Sequence, residues 1–471
     1  MNEQTSYWGV LLQRFFNVFQ QITYRGVAIC KYLYYPFLYY ATNHWTLTWA
    51  KENIPGMAEQ IKQFDLSQIY RWADEPYRYD AHPDGMILMR AGFGDIASVY
   101  LPKERYFLLS PNQAEVDIIR ANRPDLDPHN IQEFYRENPL ALAELNHRIE
   151  QVINEHQNDP ILGSDELLKW FYRQTPEVIR VFDAFQSLFE TYNVGGVLTI
   201  SSIVWMDCAL NLIARTNRIP SVTLQHGLIL DRDLFCHTPI SATKKAVWGT
   251  AVQDWYRNTG YPESRIAVVG SPRFDVITNR QWSNKNDLCK KLGIPSDKKI
   301  MTYATGTDRN ALVPLIVEGL KTIPEIFLVL SLHPSEAPIL NQYQQLIGDY
   351  ADCRVVRYGE IGLYDTLSGS DFFITHCSTA GLEAMLFKLP VITIEPSPPP
   401  FSYGDLKASL KVSNADELHQ VVKRLIADSN FREQAVQQYQ PFISRYCIPD
   451  GEASQRLFAE LQSLLANGGT A

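Results

Sequence analysis

The sequence has no paired cysteines and no long hydrophobic run. Its seven cysteines are dispersed along the chain without a Cys-x-x-Cys pair, which argues against a disulfide framework and against a zinc site. No uninterrupted apolar run reaches the roughly 18 residues of a membrane-spanning helix, and no secretory signal pattern opens the chain. We therefore expect a protein of the reducing cytoplasm.

Several catalytic motifs are missing as well. The chain contains no Gly-x-Ser-x-Gly elbow, no His-Glu-x-x-His pair and no Walker lysine loop, so it lacks the signatures of serine hydrolases, zinc peptidases and P-loop nucleotidases. The formal net charge of −9 argues against broad nucleic-acid binding, which uses a basic face. A length of 471 residues suggests two to three domains.

Acidic residues are absent between Glu3 and Glu52, a stretch that holds 14 aromatic side chains. Within it, Trp8, Phe15 and Phe19 recur at helical spacing. One interpretation is an interfacial anchor, with aromatic rings at headgroup depth and basic residues toward anionic lipid, so that residues 5–50 contact the inner membrane face. The other is a helical extension that packs on the body of the protein.

From residue 86 onward, strand-like runs alternate with helical patterns. The predicted strands are 86–89, 106–109, 196–200, 221–224, 246–249, 266–270, 299–304, 326–332, 354–356, 372–374 and 391–394. Strands separated by helices predict an α/β fold of parallel sheets with helices on both faces. We interpret the polar stretch 281–299 as a linker. The predicted domains are an aromatic, basic N-terminal extension (1–80), two Rossmann-like domains (81–280 and 281–449) and a C-terminal helix (450–471) that packs back across them.

The segment from Ser370 to Pro396 is the most informative part of the chain. It has the pattern of a strand, a tight turn, a helix and a second strand. Ser378 and Thr379 stand where the helix begins, and a helix N-terminus after a strand has free backbone N–H groups and a positive dipole end that suit a phosphate. Glu383 lies about one turn further on, within reach of a sugar hydroxyl. This segment predicts a nucleotide-diphosphate ligand.

Other polar clusters also follow predicted strands. They are Gly92 to Asp95, Ser201-Ser202, His226-Gly227, Gly270-Ser271, Thr305-Gly306-Thr307 and His333-Pro334. In doubly wound sheets the ligand binds at the carboxyl ends of the strands, so these clusters outline a binding site.

Five motifs carry a resemblance to a known family. They are Gln225-His226-Gly227, Gly270-Ser271-Pro272-Arg273-Phe274-Asp275, His333-Pro334, Ser378-Thr379-Ala380-Gly381-Leu382-Glu383-Ala384 and Asp450-Gly451-Glu452-Ala453-Ser454-Gln455-Arg456. Over about residues 195 to 465 the chain resembles the GT-B glycosyltransferases, closest to the branch of CDP-glycerol glycerophosphotransferases, capsule polysaccharide transferases and UDP-GlcNAc 2-epimerases. The resemblance implies a GT-B fold: two Rossmann-like doubly wound domains facing a cleft.

The resemblance also implies roles for the donor-side residues. His333 resembles the family histidine that contacts the donor diphosphate. Ser378 and Thr379 are candidate phosphate ligands, and Glu383 is the candidate acceptor for the ribose diol. Two further candidate donor ligands are Arg273, as a counter-charge for phosphate, and Gly270. The last three are Thr305, Gly306 and Thr307, where backbone can approach the diphosphate.

For the acceptor side, the candidate general base is His226, with Asp95 as its rival. The implied activity moves a sugar from a nucleotide-activated donor to a cell-surface glycan or a lipid-linked acceptor, with inversion and without a metal ion or a cofactor. Three alternatives stay open: transfer of an alditol phosphate from a CDP donor, epimerisation of a nucleotide sugar, and a non-catalytic scaffold in polysaccharide assembly. The expected location is the cytoplasm or the inner membrane face.

Overall fold

The chain forms two compact units. The computed structural model describes residues 2–73, 76–229, 234–306, 310–357 and 359–471. Unit 1 comprises Met1–Val247, Val252–Val269 and Gln455–Ala471, and unit 2 comprises Trp248–Ala251 and Gly270–Ser454. The chain therefore enters unit 2 after Val269 and returns to unit 1 after Ser454.

The N-terminal segment is built into the core of unit 1. It contains α1 (Glu3–Phe19), β1 (Thr23–Tyr24), β2 (Val27–Ala28), α2 (Ile29–His44), α3 (Leu47–Asn53), α4 (Met57–Gln63) and α5 (Ser67–Ala73). Phe15 is fully buried and stacks on Phe37 with ring centroids 4.0 Å apart. Of the basic residues, Arg14 pairs with Asp159. Packing on the body of the protein thus explains most of the aromatic side chains.

A seven-stranded parallel sheet organises unit 1. The strands and helices from residue 78 to residue 268 are β3 (Arg78–Tyr79), β4 (Met86–Arg90), α6 (Gly94–Tyr100), β5 (Tyr106–Ser110), α7 (Gln113–Asn122), β6 (Pro128–Asn130), α8 (Pro139–Glu155), α9 (Asp165–Thr191), β7 (Val194–Thr199), α10 (Trp205–Thr216), β8 (Ser221–Leu224), α11 (Leu234–His237), β9 (Lys244–Val247), α12 (Thr250–Asn258) and β10 (Ile266–Val268). The strand order β10-β9-β8-β7-β4-β5-β6 is the Rossmann order with one strand added.

A six-stranded parallel sheet organises unit 2. The elements are α13 (Pro272–Asn279), α14 (Lys285–Leu292), β11 (Lys299–Ala304), α15 (Val313–Leu320), β12 (Ile326–Ser331), α16 (Leu340–Ile347), β13 (Cys353–Val356), α17 (Leu363–Gly369), β14 (Phe372–Thr375), α18 (Thr379–Leu386), β15 (Val391–Ile394), β16 (Leu410–Val412), α19 (Ala415–Ala427), α20 (Ser429–Gln438) and α21 (Gln440–Tyr446). The order β13-β12-β11-β14-β15-β16 is the Rossmann order 3-2-1-4-5-6. Its strands β11, β12, β14 and β15 are buried along nearly their whole length, as expected for a parallel sheet with helices on both faces.

The predicted linker over 281–299 is wrong, because α14 occupies it. Asn284 caps this helix in a capping box with Asp287. Leu288, Cys289 and Leu292 face a small core with β11 and β12, so the segment is an integral helix of unit 2. The compact units divide after Val269 rather than after residue 280.

The C-terminal segment returns to unit 1 as α22 (Ala453–Ala466) and β17 (Gly469–Thr470), and β17 pairs with β3 in antiparallel register. The start of α22 is capped by Asp275, whose carboxylate accepts from Ser454 N at 2.7 Å. Leu465 packs so closely on β7 that a Cβ at Gly196 would lie 2.7 Å from its Cδ1. Within the described residues, every helix is too short or too polar to cross a membrane.

Candidate functional site

The donor-side residues predicted from sequence gather at one edge of unit 2. β11 and β14, the first and fourth strands of its Rossmann order, are hydrogen-bonded neighbours. Thr305 and Gly306 follow β11, His333 follows β12, and Ser378 follows β14. This edge contains the topological switch point, where open α/β sheets bind ligands. Thr307 lies outside the described residues.

The start of α18 presents backbone donors at this edge. Ser378 is the N-cap, and its Oγ accepts from Ala380 N at 3.3 Å. Its carbonyl accepts from the Tyr403 hydroxyl at 2.8 Å, which anchors the turn to the following loop. Because the Ser378 hydroxyl accepts from the helix, its own proton can be donated to an anion. Thr379 is the first residue of the helix, so the two predicted phosphate ligands share one helix start.

Glu383 and Arg273 form an ion pair. Glu383 is almost fully buried on α18 and also accepts from the Tyr364 hydroxyl at 2.9 Å. Burial lowers the pKa of Arg273, but the charges of Glu383 and Tyr364 and the hydrogen bonds to both together outweigh burial and leave that pKa above its ordinary value. Burial, and then the Glu383 charge, raises the pKa of Tyr364. The sequence prediction gave Glu383 and Arg273 separate ligands and missed both their contact and Tyr364.

Thr305 connects the ends of β11 and β12. Its hydroxyl donates to the buried carboxylate of Glu336 and accepts from the backbone N–H of His333 at 3.0 Å. The His333 side chain itself is exposed. The sequence prediction missed Glu336, although its position three residues after His333, within a turn bounded by prolines, was a usable signal.

Gly270 has a structural reason to be glycine. Its φ of 86° lies in the left-handed region, which side chains with a Cβ rarely adopt. The turn it forms leads from β10 into α13, and Arg273 stands in the first turn of that helix. Gly270 therefore sets the direction of the segment that carries Arg273.

The two candidate bases lie at the carboxyl edge of the unit 1 sheet. His226 follows β8 and is exposed. Its loop is held by Gln225, whose backbone N–H donates to Ala246 O at 2.8 Å and whose side-chain amide donates to Gly227 O at 2.8 Å. Asp95 lies in the first turn of α6, after β4, and is 70% exposed. In the sheet, β7 stands between β4 and β8.

Asp95 has a charged partner of its own. Its carboxylate accepts from Arg123, which also holds Asp125 at 2.6 Å. An exposed ion pair of this kind contributes little to stability. Asp95 is therefore engaged with an arginine that the sequence prediction did not connect to it.

Unit 1 also contains a buried charged cluster that the sequence prediction missed. Arg90 lies 3.2 Å from Asp207, and burial raises the pKa of Asp207 while Arg90 opposes it. Burial lowers the pKa of Lys245 to about 7, with Asp207 opposing it. Burial, Lys245 and His226 together lower the pKa of His237 to about 3. These groups are dispersed in sequence, so no local pattern reveals them.

Residues 249–462 match the model of the family CDP-glycerol:poly(glycerophosphate) glycerophosphotransferase. The match contains every candidate donor residue and neither candidate base. It confirms the predicted resemblance to this transferase branch over that range. No curated protein matches the chain.

Solved structures with the same fold are similar at low identity. S. aureus MnaA, solved with UDP, is 16% identical with a TM-score of 0.52, and the match covers 81% of this chain and 97% of that one. The Neisseria meningitidis UDP-GlcNAc 2-epimerase, bound to UDP-GlcNAc, is 12% identical with a TM-score of 0.53, covering 80% and 99%. The wall teichoic acid polymerase TagF, as a variant, is 14% identical with a TM-score of 0.50, covering 85% and 93%.

These similarities agree with the two Rossmann-type sheets described above. Among the described residues, no group of three or more His, Cys, Asp or Glu side chains is placed to hold a metal ion; metal independence stays a prediction. The chain has the GT-B fold, and its residues 249–462 resemble the CDP-glycerol glycerophosphotransferases, a transferase family.

Proposed function

We propose that this chain is a transferase that takes its donor as a nucleotide-activated group, with unit 2 as the nucleotide-binding unit. The family match over residues 249–462 carries the proposal. That range contains the helix start at Ser378, the buried Glu383 and the strand end at His333, which all lie on the carboxyl side of one Rossmann-type sheet.

The donor residues divide by chemistry. The positive dipole end at the start of α18, the Ser378 hydroxyl and the His333 imidazole are suited to hold the diphosphate and to stabilise its charge as it leaves. Glu383 is an acceptor for the ribose diol, at a position held by Arg273 and Tyr364. We propose that these protein groups, without a metal ion, carry the leaving charge, so that EDTA leaves turnover unchanged.

The reaction needs a base on the acceptor hydroxyl. We assign it to His226, with Asp95 as the rival. For a sugar donor, the deprotonated oxygen attacks the anomeric carbon, the bond from that carbon to the diphosphate oxygen breaks, and the nucleoside diphosphate leaves. For a CDP-alditol donor, the same oxygen attacks the β-phosphorus and CMP leaves. In both cases His226 keeps the proton until solvent removes it.

A thermal-shift panel with UDP-, GDP- and CDP-sugars and CDP-glycerol tests the proposal, because a ligand that binds only the folded state raises the melting temperature. We expect at least one donor to stabilise the protein. His333→Ala should weaken donor binding and reduce that shift, whereas His226→Ala should keep the shift and stop turnover. Absence of any shift would favour a non-catalytic scaffold.

The identity of the transferred group is a separate question. A sugar was the first expectation from sequence, but the match to the CDP-glycerol glycerophosphotransferase family favours glycerol phosphate from a CDP donor. Release of CMP from CDP-glycerol, compared with release of UDP or GDP from sugar donors, decides between them. The Neisseria meningitidis UDP-GlcNAc 2-epimerase among the similar structures favours a further candidate, a nucleotide-sugar epimerase. Conversion of a nucleotide sugar without any acceptor would support that candidate.

The acceptor is proposed to be a surface glycan or a lipid-linked chain. Contact of residues 5–50 with the inner membrane face also stays a proposal. Its support is confined to side chains outside the core, such as Tyr39, which is 71% exposed. Sedimentation with anionic vesicles tests it, and Tyr39→Ser should weaken any binding that this surface provides.

A further inference from the structure

The end of β12, which carries His333, rests on a small buried polar network. The Glu336 carboxylate is 3% exposed and accepts from two hydroxyls, Thr305 on one oxygen and Tyr343 on the other at 2.7 Å. Thr305 in turn accepts from His333 N at 3.0 Å. The carbonyl of His333 accepts from Glu336 N at 2.9 Å. Both backbone polar groups of His333 therefore belong to the network.

The carboxylate sets the direction of these hydrogen bonds. A carboxylate can only accept, so the single proton of the Thr305 hydroxyl points toward Glu336. The lone pairs of Thr305 Oγ1 are then available to the His333 N–H. The other acceptor near this hydroxyl, the carbonyl of Ser331 at 3.3 Å, is longer. Replacing the carboxylate by a group that also donates removes this polarity.

Burying this polar network costs stability, and its position next to the candidate site offers a reason for that cost. A buried carboxylate is expensive unless it is hydrogen-bonded, and the Thr305 and Tyr343 hydroxyls supply those hydrogen bonds to Glu336. Tyr343 lies on α16, fully buried, and burial, followed by the contact with Glu336, raises the pKa of its hydroxyl. An apolar pair would fill the same space without desolvating a charge.

We propose that Glu336 and Tyr343 are positioning residues, which act through Thr305 to hold the His333 backbone so that its side chain meets the donor diphosphate. This inference rests on the proposed function for its ligand. The network neither touches the donor nor takes part in the chemistry. Its effect on the donor passes through His333, and the Thr305 hydroxyl is engaged within the network.

A double-mutant cycle on the full-length chain tests the inference, with CDP and UDP as probes in titration calorimetry. We expect Glu336→Gln to weaken binding of the recognised nucleotide about fivefold, and Tyr343→Phe to weaken it less, since coupled neighbours interact on this scale. In a His333→Ala background, Glu336→Gln should cause no further loss. An equal loss in both backgrounds, or no loss in either, overturns the proposal.

Hydrogen exchange gives a second measurement that needs no ligand. Glu336→Gln should speed exchange of the His333 amide, while Tyr364→Phe, the matched control on the Glu383 side, should leave it unchanged. An unchanged His333 amide in the Glu336→Gln protein overturns the proposal even if the chain binds no nucleotide. If the wild type binds neither nucleotide but the amide responds, the proposed function fails and the positioning network stands. Tyr343→Phe supplies the same measurement should Glu336→Gln fail to fold.

Discussion

At the residue scale, the partners of a buried charge decide what it can do. Glu383 was predicted from its place on the helix after Ser378, and the structure adds Arg273 and Tyr364 as its partners. The arginine pairs with the carboxylate in its buried position, and the tyrosine restricts its orientation. An oriented carboxylate can accept from the hydroxyls of a ribose diol.

We expect Glu383→Gln to lose discrimination for ribose. The wild type should bind CDP or UDP at least tenfold more tightly than the 2′,3′-dideoxy form, because a hydrogen bond to a charged group contributes about 1.5 to 3 kcal/mol. In the glutamine variant this ratio of dissociation constants should approach one. Because both dissociation constants are measured on the same protein, their ratio is unaffected by a general loss of protein stability. Tyr364→Phe keeps the carboxylate and should retain most of the preference; equal ratios in wild type and Glu383→Gln would contradict the assignment.

The buried Lys245 leads to a prediction about how the free energy of unfolding depends on pH. Burial lowers its pKa from 10.5 to about 7, so between these pH values the unfolded chain binds a proton that the folded protein does not. Stability then rises with pH over this window. Relative to the wild type, Lys245→Met should be stabilised more at pH 6 than at pH 9, with a difference of about 2 kcal/mol. Urea unfolding of both proteins at the two pH values measures it, and a pH-independent difference would show that Lys245 is not desolvated.

At the element scale, strand ends and helix starts provide the site. In the two large sheets, the strands were predicted from their apolar runs except for β6 and β16. The two-residue strands β1, β2, β3 and β17 were missed as well. Both β6 and β16 are three-residue edge strands, and β6 begins with Pro128, which an edge strand tolerates. Edge strands are less buried than central strands and need fewer apolar residues, so the hydrophobic pattern of a sequence predicts them poorly. The strands that carry the site are central, and for that reason the sequence revealed them.

The start of α18 allows capping to be separated from ligand binding. Ser378→Ala should cost about 1 kcal/mol of stability through loss of the N-cap, whereas Ser378→Asp should keep the cap. The aspartate places a negative charge where we expect the diphosphate, so nucleotide affinity should fall further in the aspartate variant than in the alanine variant. Urea unfolding and nucleotide titration on the same two proteins check this. Wild-type affinity in Ser378→Asp would place the diphosphate elsewhere.

At the scale of the whole molecule, the first and last helices of the sequence both contribute to the core of unit 1. The last helix, α22, supplies Leu457, Leu461 and Leu465 to the core under β4 and β7 of unit 1. The first helix, α1, supplies the aromatic core around Phe15. Both ends of the sequence are therefore required by the same unit, although the sequence analysis described them as an extension and a terminal helix.

Truncation of one α22 side chain should destabilise unit 1 and leave unit 2 unaffected. We expect Leu461→Ala to cost about 2 to 5 kcal/mol, because the fully buried side chain leaves a cavity. Hydrogen exchange should accelerate in β4 and β7 while β11 and β14 keep their protection. Gln462→Ala, at the exposed neighbouring position, should change neither. Equal acceleration in both sheets would show that the units unfold as one.

The sequence by itself determined the fold class and the strand ends that carry the donor residues. Apolar runs, glycine turns and helix starts are local features, and backbone sterics and burial translate them directly into elements. Only the tertiary structure decided that Glu383 pairs with Arg273, that Thr305 connects Glu336 to the His333 backbone, and that most of the aromatic N-terminus is core. These outcomes depend on which residues meet after the chain folds. Contacts such as Thr305–Glu336 and Arg14–Asp159 join residues 31 and 145 positions apart, and such contacts leave no periodic signal in a single sequence.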